Sequence, residues 1–535
     1  MTWVYHGLVN RRTFIQTLAA STLTAAPKKP NIIIMMADDM GFSDLGCYGS
    51  EIRTPNIDAL ATGGMRFTQF YNGARCCPTR ASLLTGLYAH QAAVGHMVGD
   101  DHQPGYRGDL SREAVTIAEV LRTAGYRTAM SGKWHVTPGN GDKHNWPMQR
   151  GFDRFFGTIH GAGSYYDPST LVSGNDYIKP EGADFFYTDA IASHAVKFIE
   201  EFAAQPFFLY VPFTSPHWPL HAIESDVAKY KGQYQDGWDA LRASRHARQL
   251  KMGIVDKRWP LSPRDEKVPA WKDAKDKEWE QRRMEVYAAQ IDRMDQNVGR
   301  ITAKLREKGI ERDTLILFLA DNGGCAEEIA KALTPNPSIP METPDGRKVR
   351  RGNIPSIMPG ATDTYQSYGI GWANASNTPF RMFKHWVHEG GISTPLIAQW
   401  PAGITKKNSI NASPGHLIDL MATCVDVAGA TYPATFAGTT IKPLEGLSLR
   451  PVWEKGKRAG HAEIFWEHEG NRAVRQGKWK LVSRHQIPWA LYDLEADRSE
   501  LNDLALKQPA KTAELQAKYA VWAKRAQVLP WPVAH

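Results

Sequence analysis

Long apolar runs are missing from this chain of 535 residues. None reaches the ~18–20 residues that a bilayer-spanning helix needs, so a membrane-embedded body is not expected. Cysteine is scarce: Cys47, Cys76, Cys77, Cys325 and Cys424 are the full set. They show neither zinc-type spacing nor a paired framework, which excludes a small disulfide-stapled scaffold. Cys76 and Cys77 are adjacent, vicinal cysteines rarely bridge each other, and the odd total leaves one free for chemistry. A concentrated block of one charge is also missing. The net charge of +8 is spread along the sequence, which suits an anionic substrate. Nucleic acid is not an expected partner. There is no internal repeat and no low-complexity tract.

Hydrophobic residues make up 42% and charged residues 22% of the chain, enough for a large globular core. Near the N-terminus, Asn10-Arg11-Arg12-Thr13-Phe14-Ile15-Gln16 precedes a mildly apolar stretch from Leu18 to Ala26. Paired arginines followed by an apolar region and small residues resemble a twin-arginine export signal over residues 1–26. The protein is therefore expected to be exported, periplasmic or secreted. Asn31–Ala37, Pro206–Phe213 and Thr314–Ala320 are continuous apolar runs, the pattern of buried strands. Each ends in polar residues: Asp38-Asp39, Thr214-Ser215-Pro216-His217 and Asp321-Asn322-Gly323-Gly324. Helical patterns cover Thr116–Thr123, stopped by Gly125, and Met284–Lys308, stopped by Gly309. Strands alternating with helices predict an α/β fold, with the ligand crevice beyond the carboxyl ends of the strands. Pro335–Thr364, rich in Pro, Gly and Ser, reads as a long surface loop. From about residue 456 the pattern changes: a hairpin over Ala473–Arg484 turning near Gly477, a short strand at Leu491–Leu494, and a terminal helix over Gln508–Gln527. The expected division is a main domain over 27–455 and a smaller α+β domain over 456–535.

The densest motif is Cys76-Cys77-Pro78-Thr79-Arg80-Ala81-Ser82-Leu83-Leu84-Thr85-Gly86. It resembles the sulfatase signature, Cys-x-Pro-Ser/Thr-Arg followed by Leu-Leu-Thr-Gly. The register selects Cys76, because Pro78 and Arg80 then fall where the pattern needs them. Cys77 is an unusual spacer that the pattern tolerates. Further sulfatase-like stretches are Thr54–Leu60, Ser131-Gly132-Lys133-Trp134-His135, Ser215-Pro216-His217, Gly390–Pro401 and Leu491–Leu504. Tyr230–Gly253 is similar to bacterial arylsulfatases in particular.

The resemblance implies a type I sulfatase with the alkaline-phosphatase-like fold: a large mixed sheet sandwiched by helices, plus a smaller C-terminal α+β domain. It implies that a formylglycine-generating maturation enzyme converts Cys76 to formylglycine. A hydrated aldehyde carries two hydroxyls; one attacks sulfur to give a covalent sulfo-enzyme, and the other then expels sulfate. One divalent cation, calcium by resemblance with magnesium as the alternative, would be held by Asp38, Asp39, residue 76, Asp321 and Asn322. Hard oxygen ligands at strand ends suit such an ion. Arg80 would anchor the formylglycine and the ligand carboxylates. Lys133 would contact sulfate and His135 the diol, where a histidine can take a proton. On a strand, these two side chains would share one face. His217 would bind a sulfate oxygen and act with Lys384 at the leaving group, where cations offset developing negative charge. His221 is the weaker candidate, because His217 directly follows the strand.

The implied substrate is a sulfate ester, either a small aryl sulfate or a sulfated glycan. A phosphonate or phosphate monoester hydrolase with the same site is the alternative. A non-catalytic sulfated-glycan binding protein is disfavoured, since no ligand, cysteine or lysine of the motif set is missing. His96, His102 and the loop before Trp372 are expected to line a substrate pocket.

Overall fold

The computed structural model describes residues 1–4, 29–139, 142–182, 184–331 and 339–534. From residue 5 onward the expected export signal lies outside the described residues, as does the 335–364 loop before residue 339.

The main-sheet strands named here are β1 (Asn31–Ala37), β2 (Met65–Tyr71), β3 (Arg127–Lys133), β4 (Arg154–Thr158), β5 (Leu171–Ser173), β6 (Asp176–Tyr177), β7 (Phe207–Pro212), β8 (Thr314–Ala320) and β9 (Ser393–Gln399). Two short strands, Ser409–Asn411 and Gly415–His416, pair with β2 and complete an eleven-stranded mixed sheet. Its order is Ser409–Asn411, β2, β9, β8, β1, β7, β3, β4, β5, β6. The central strands β8, β1, β7, β3 and β4 are mutually parallel, whereas β9 runs antiparallel to β8 and β2.

The apolar runs form buried strands because both faces of the sheet are covered. Successive side chains of β1 point to opposite faces. Ile33, Met35 and Ala37 join one core cluster, while Ile32, Ile34 and Met36 join the other. The helices of interest are α1 (Cys76–Thr85), α2 (Ile117–Thr123), α3 (Tyr187–Phe202) and α4 (Lys277–Glu307). Residues of α3 and α4 lie in the first cluster, and those of α1 and α2 in the second.

Expected and observed elements agree closely at β1, β8 and α2. Thr116 caps α2 by accepting from Glu119 N–H, while the Glu119 carboxylate accepts from Thr116 N–H, a reciprocal pairing that fixes the helix start. The start of α4 lies seven residues before the expected Met284. The extra turns are mostly charged and so carry no apolar stripe; buried Trp279, and Arg283 paired with Glu280 and Glu328, hold them down.

The C-terminal elements are β10 (Ile464–His468), β11 (Asn471–Gln476), β12 (Trp479–Ser483), β13 (Ala490–Asp493) and α5 (Pro509–Ala526). The four strands form a separate antiparallel sheet. The hairpin turn falls at Gly477 in a left-handed conformation, φ 56°, which glycine adopts without strain. Ile464, Trp466, Ala473, Val482 and Tyr492 pack against Tyr71, Val387 and Ile392 of the main body. The opposite face meets α5, with Phe465 stacked on Trp522. This docking carries the tip of the β10–β11 turn, Glu469-Gly470, to the main sheet's carboxyl edge.

Candidate active site

Parallel pairing gathers the site. Ala37 of β1 is in register with Ala320 of β8, so the residues that follow, Asp38 and Asp321, leave the sheet side by side. β7 leads to His217 at the same edge, and β3 ends there at Lys133. Because β9 is antiparallel, its start lies at this edge too, and the segment before it delivers Lys384. Residue 76 opens α1, whose first turn enters the same space.

The expectation that Lys133 and His135 share a strand face is corrected. β3 stops at Lys133, and His135 lies two residues beyond in a left-handed conformation, φ 56°. A strand cannot continue through that backbone. His135 reaches the site because Gly161 leaves room: a Cβ there would stand 2.1 Å from the imidazole Cε1.

Three carboxylates face three cations, all buried. Arg80 Nη2 lies 2.9 Å from Asp321 Oδ2 and 3.3 Å from Asp38 Oδ2. Arg80 Nη1 donates to Lys133 O at 3.1 Å. Lys133 Nζ donates to Asp38 Oδ2 at 2.5 Å, and Lys384 Nζ to Asp39 Oδ2 at 2.9 Å. Asp39 N–H donates to Asp321 Oδ1, and Asn322 Nδ2 to Asp39 Oδ1 at 2.6 Å. Two acceptors are left over: Asp38 Oδ1 and Asn322 Oδ1 are buried without a hydrogen-bond partner. Orphaned buried acceptors are costly. A hard divalent cation with oxygen ligands fits this donor set, satisfying both oxygens and offsetting the carboxylates. Burial raises Asp38 and, reinforced by Asp38, raises Asp321 well above the usual carboxylate range. Burial also acts to raise Asp39, but Lys384 and His217 outweigh it and lower its pKa.

Cys76 is buried, and its Sγ lies within 4.8 Å of Cys77 Sγ and a ring nitrogen of His135. A hydrogen bond from Cys77 lowers its pKa well below the usual thiol value, helped by Lys133 and His135 against burial. Burial pushes His135 down to about 4 and His217 likewise to about 4, so both imidazoles are neutral at pH 7. His217 Nδ1 lies 2.6 Å from Trp218 O. A carbonyl only accepts, so Nδ1 carries the proton and Nε2 offers its lone pair to Lys384 Nζ at 3.4 Å.

All the expected site residues, Asp38, Asp39, Cys76, Arg80, Lys133, His135, His217, Asp321, Asn322 and Lys384, converge here. His221 does not join them: its ring nitrogens are taken by Thr364 O and Tyr165 N–H. His102 lies exposed against Asp100, and Trp372, which follows the loop expected to line a pocket, is itself buried among Tyr234, Trp238 and Trp271. The sequence reading missed Arg75 and Glu327. Glu327 pairs with Arg75 at 2.6 Å, accepts from Trp218 Nε1 at 2.9 Å, and lies 4.0 Å from Lys384. Its one sequence signal is its place six residues after Asp321, in the same post-strand loop.

Comparison with known proteins agrees with this geometry. A family model described as Sulfatase matches residues 30–430, and one described as N-sulphoglucosamine sulphohydrolase, C-terminal, matches residues 380–527. The chain is 32% identical to an uncharacterized sulfatase of Schizosaccharomyces pombe, over 95% of this chain and 96% of the relative. It is also 32% identical to an arylsulfatase of Klebsiella aerogenes, over 84% of this chain and 97% of the relative. Among solved structures, Ps i-CgsB is similar in fold (TM-score 0.67, 24% identical, 94% of this chain and 95% of that one). So is BT4656, solved with its substrate D-glucosamine-2-N,6-O-disulfate (TM-score 0.62, 20% identical, 94% and 98%). A strand-end constellation of buried carboxylates around the Cys76 signature, matched over most of its length to one family, shows that this chain belongs to the sulfatases, hydrolases of sulfuric esters.

Proposed function

We propose that the protein cleaves sulfate monoesters through a formylglycine formed at residue 76, beside a divalent cation, calcium by family expectation. The observation that carries this reading is the buried set of three carboxylates with two orphaned oxygens beside Cys76. Asp38, Asp39, Asp321 and Asn322 would hold the cation, which supplies Lewis-acid charge for the diol and the sulfate oxygens. The hydrated aldehyde would attack sulfur with one hydroxyl and release sulfate through the other. Arg80 keeps Asp38 and Asp321 in place with a rigid guanidinium fork. Lys133 is set to hold a sulfate oxygen, and neutral His135 to take a proton from the second hydroxyl. Lys384 and His217 share one proton path, from Nζ to the Nε2 lone pair, and are set to protonate the leaving oxygen. Aryl sulfates and sulfated carbohydrates both fit this chemistry.

The test combines two measurements on protein produced with the formylglycine-generating enzyme. The tryptic peptide bearing residue 76 should show the mass loss of thiol-to-aldehyde conversion. An aryl sulfate should be turned over faster than the matching aryl phosphate. An unmodified thiol with no sulfate release would overturn the reading, and faster phosphate release would favour a phosphomonoesterase.

A further inference from the structure

A second polar cluster stands beside Lys384 and takes no part in the steps above. His385 follows Lys384, and its N–H donates to Ala74 O at 2.8 Å, two residues before Cys76. Its Nδ1 lies 3.2 Å from Glu469 Oε2. His96 Nε2 lies 3.0 Å from Glu469 Oε1, and His96 Nδ1 is 3.4 Å from Asp101 Oδ2. Beneath them His468 is fully buried, and neither ring nitrogen has a hydrogen-bond partner; Nε2 is 3.5 Å from Glu469 Oε1. His385 and Glu469 both have left-handed backbones, φ 89° and 50°. Such strain in non-glycine residues persists where surrounding structure enforces it, and it clusters at ligand sites. The side chains of His96, His385 and Glu469 are 24%, 30% and 23% exposed, whereas the cations and carboxylates beside residue 76 are buried. The cluster is therefore partly open to solvent and adjoins the site through Lys384 and Ala74.

Three imidazoles around one carboxylate could suggest a transition-metal site, but the hydrogen bonds argue otherwise. Asn471 Oδ1 accepts from His485 N–H, and Asn471 Nδ2 donates to His468 O. The amide orientation is thereby fixed, and Nδ2 also faces His385 Nε2 at 3.3 Å. That nitrogen must accept, so the His385 proton sits on Nδ1, pointing at Glu469. A metal on Nδ1 would force the proton onto Nε2, against another N–H. The cluster is built to exchange hydrogen bonds.

We propose that Glu469, with His385 and His96, receives the hydroxyls of a sugar leaving group, making the natural substrate a sulfated carbohydrate with free hydroxyls beside the ester. This rests on the sulfatase reading of the adjoining site. Carboxylate and imidazole groups are partners for sugar hydroxyls, and an aryl group would gain nothing from them. A second sulfate near the ester would meet the carboxylates of Glu469 and Asp101 and be repelled.

The test compares 4-nitrophenyl sulfate with a panel of galactose and N-acetylglucosamine monosulfates covering each available hydroxyl. Wild type should cleave at least one sugar sulfate. Glu469→Ala should lose about 100-fold in kcat/KM on that sugar, the scale for removing a hydrogen bond to a charged group, and at least tenfold less on the aryl ester. Glu469→Gln, which still accepts a hydrogen bond, should recover part of the loss. Thermal unfolding of both variants checks the fold. Equal losses on both substrates, or none on the sugar, would overturn the proposal. Aryl turnover without any sugar turnover would remove this inference alone; no sulfate turnover at all would remove the sulfatase reading with it. One equivalent of Zn2+ bound by wild type and lost in His468→Ala would replace the sugar subsite with a metal site.

Discussion

Two fully buried ion clusters lie at this edge of the sheet, and they differ in how fully their oxygens are partnered. In one, Glu389 is paired with Lys480 and Arg498 at 2.9 and 2.8 Å, Lys480 reaches Glu500 at 2.8 Å, and Tyr71 OH donates to Glu389 Oε2. Burial acts to raise Glu389, yet Lys480 and Arg498 outweigh it and hold its pKa at about 2. In the other, around Cys76, burial and Asp38 outweigh Arg80, and Asp321 is raised well above the usual range. Asp38 Oδ1 and Asn322 Oδ1 are left unpartnered there. The first cluster bolts the C-terminal sheet to the main body, and both oxygens of Glu389 are partnered. The second matches three carboxylates with three cations yet leaves two buried oxygens without a partner, which a bound divalent cation would satisfy.

Substitutions should separate the two. The largest effect is expected at Cys76→Ala: sulfate release should fall by at least about 10⁴-fold with the nucleophile gone, while the melting temperature stays close to wild type. If activity survives, residue 76 is not the nucleophile. Asp321→Asn should lower kcat/KM by about 10³-fold through loss of an ion ligand. In calorimetry, calcium at 100 times its Kd should add about 2.7 kcal/mol to wild-type stability and almost nothing to the variant. Equal calcium stabilisation of both would move the ion elsewhere. Lys480→Met tests the other cluster. It strands buried Glu500, leaves Glu389 paired with Arg498 alone, and should cost about 3–5 kcal/mol of folding stability, while the folded fraction retains turnover within about threefold, as expected of a residue outside the reacting site. A large loss of kcat without loss of stability would erase the contrast. The smallest effect concerns Lys384→Ala, expected to lose about 100-fold on an alkyl sulfate, which needs a proton for its leaving group, and clearly less on 4-nitrophenyl sulfate.

The strand positions were legible because β1 and β8 are apolar on both faces, a pattern that only a covered sheet explains. Most of the expected catalytic residues were legible because they sit at strand ends or at the start of a helix, where a motif survives as consecutive letters; Lys384, in the segment before β9, was marked only by its spacing from Glu389-Gly390-Gly391. His135 shows the limit: its spacing from Lys133 suggested a shared strand face, but a left-handed turn delivers it. Glu327, His385, His468 and Glu469 come from three separate segments. Apart from the place of Glu327 six residues after Asp321, nothing local distinguishes them from surface histidines and glutamates, since their meaning lies in which groups they face.

By itself, the sequence determined the α/β class, the register that marks residue 76, and the chemical types gathered around it, because strand burial and motif spacing act over a few neighbouring residues. Only the tertiary structure decided which buried polar groups find partners and which do not. That depends on the pairing of β1 with β8, on the antiparallel entry of β9, and on the docking of the C-terminal sheet that sets Glu469 beside Lys384. Partnering is settled among groups brought close by folding, and segments hundreds of residues apart carry no local trace of it.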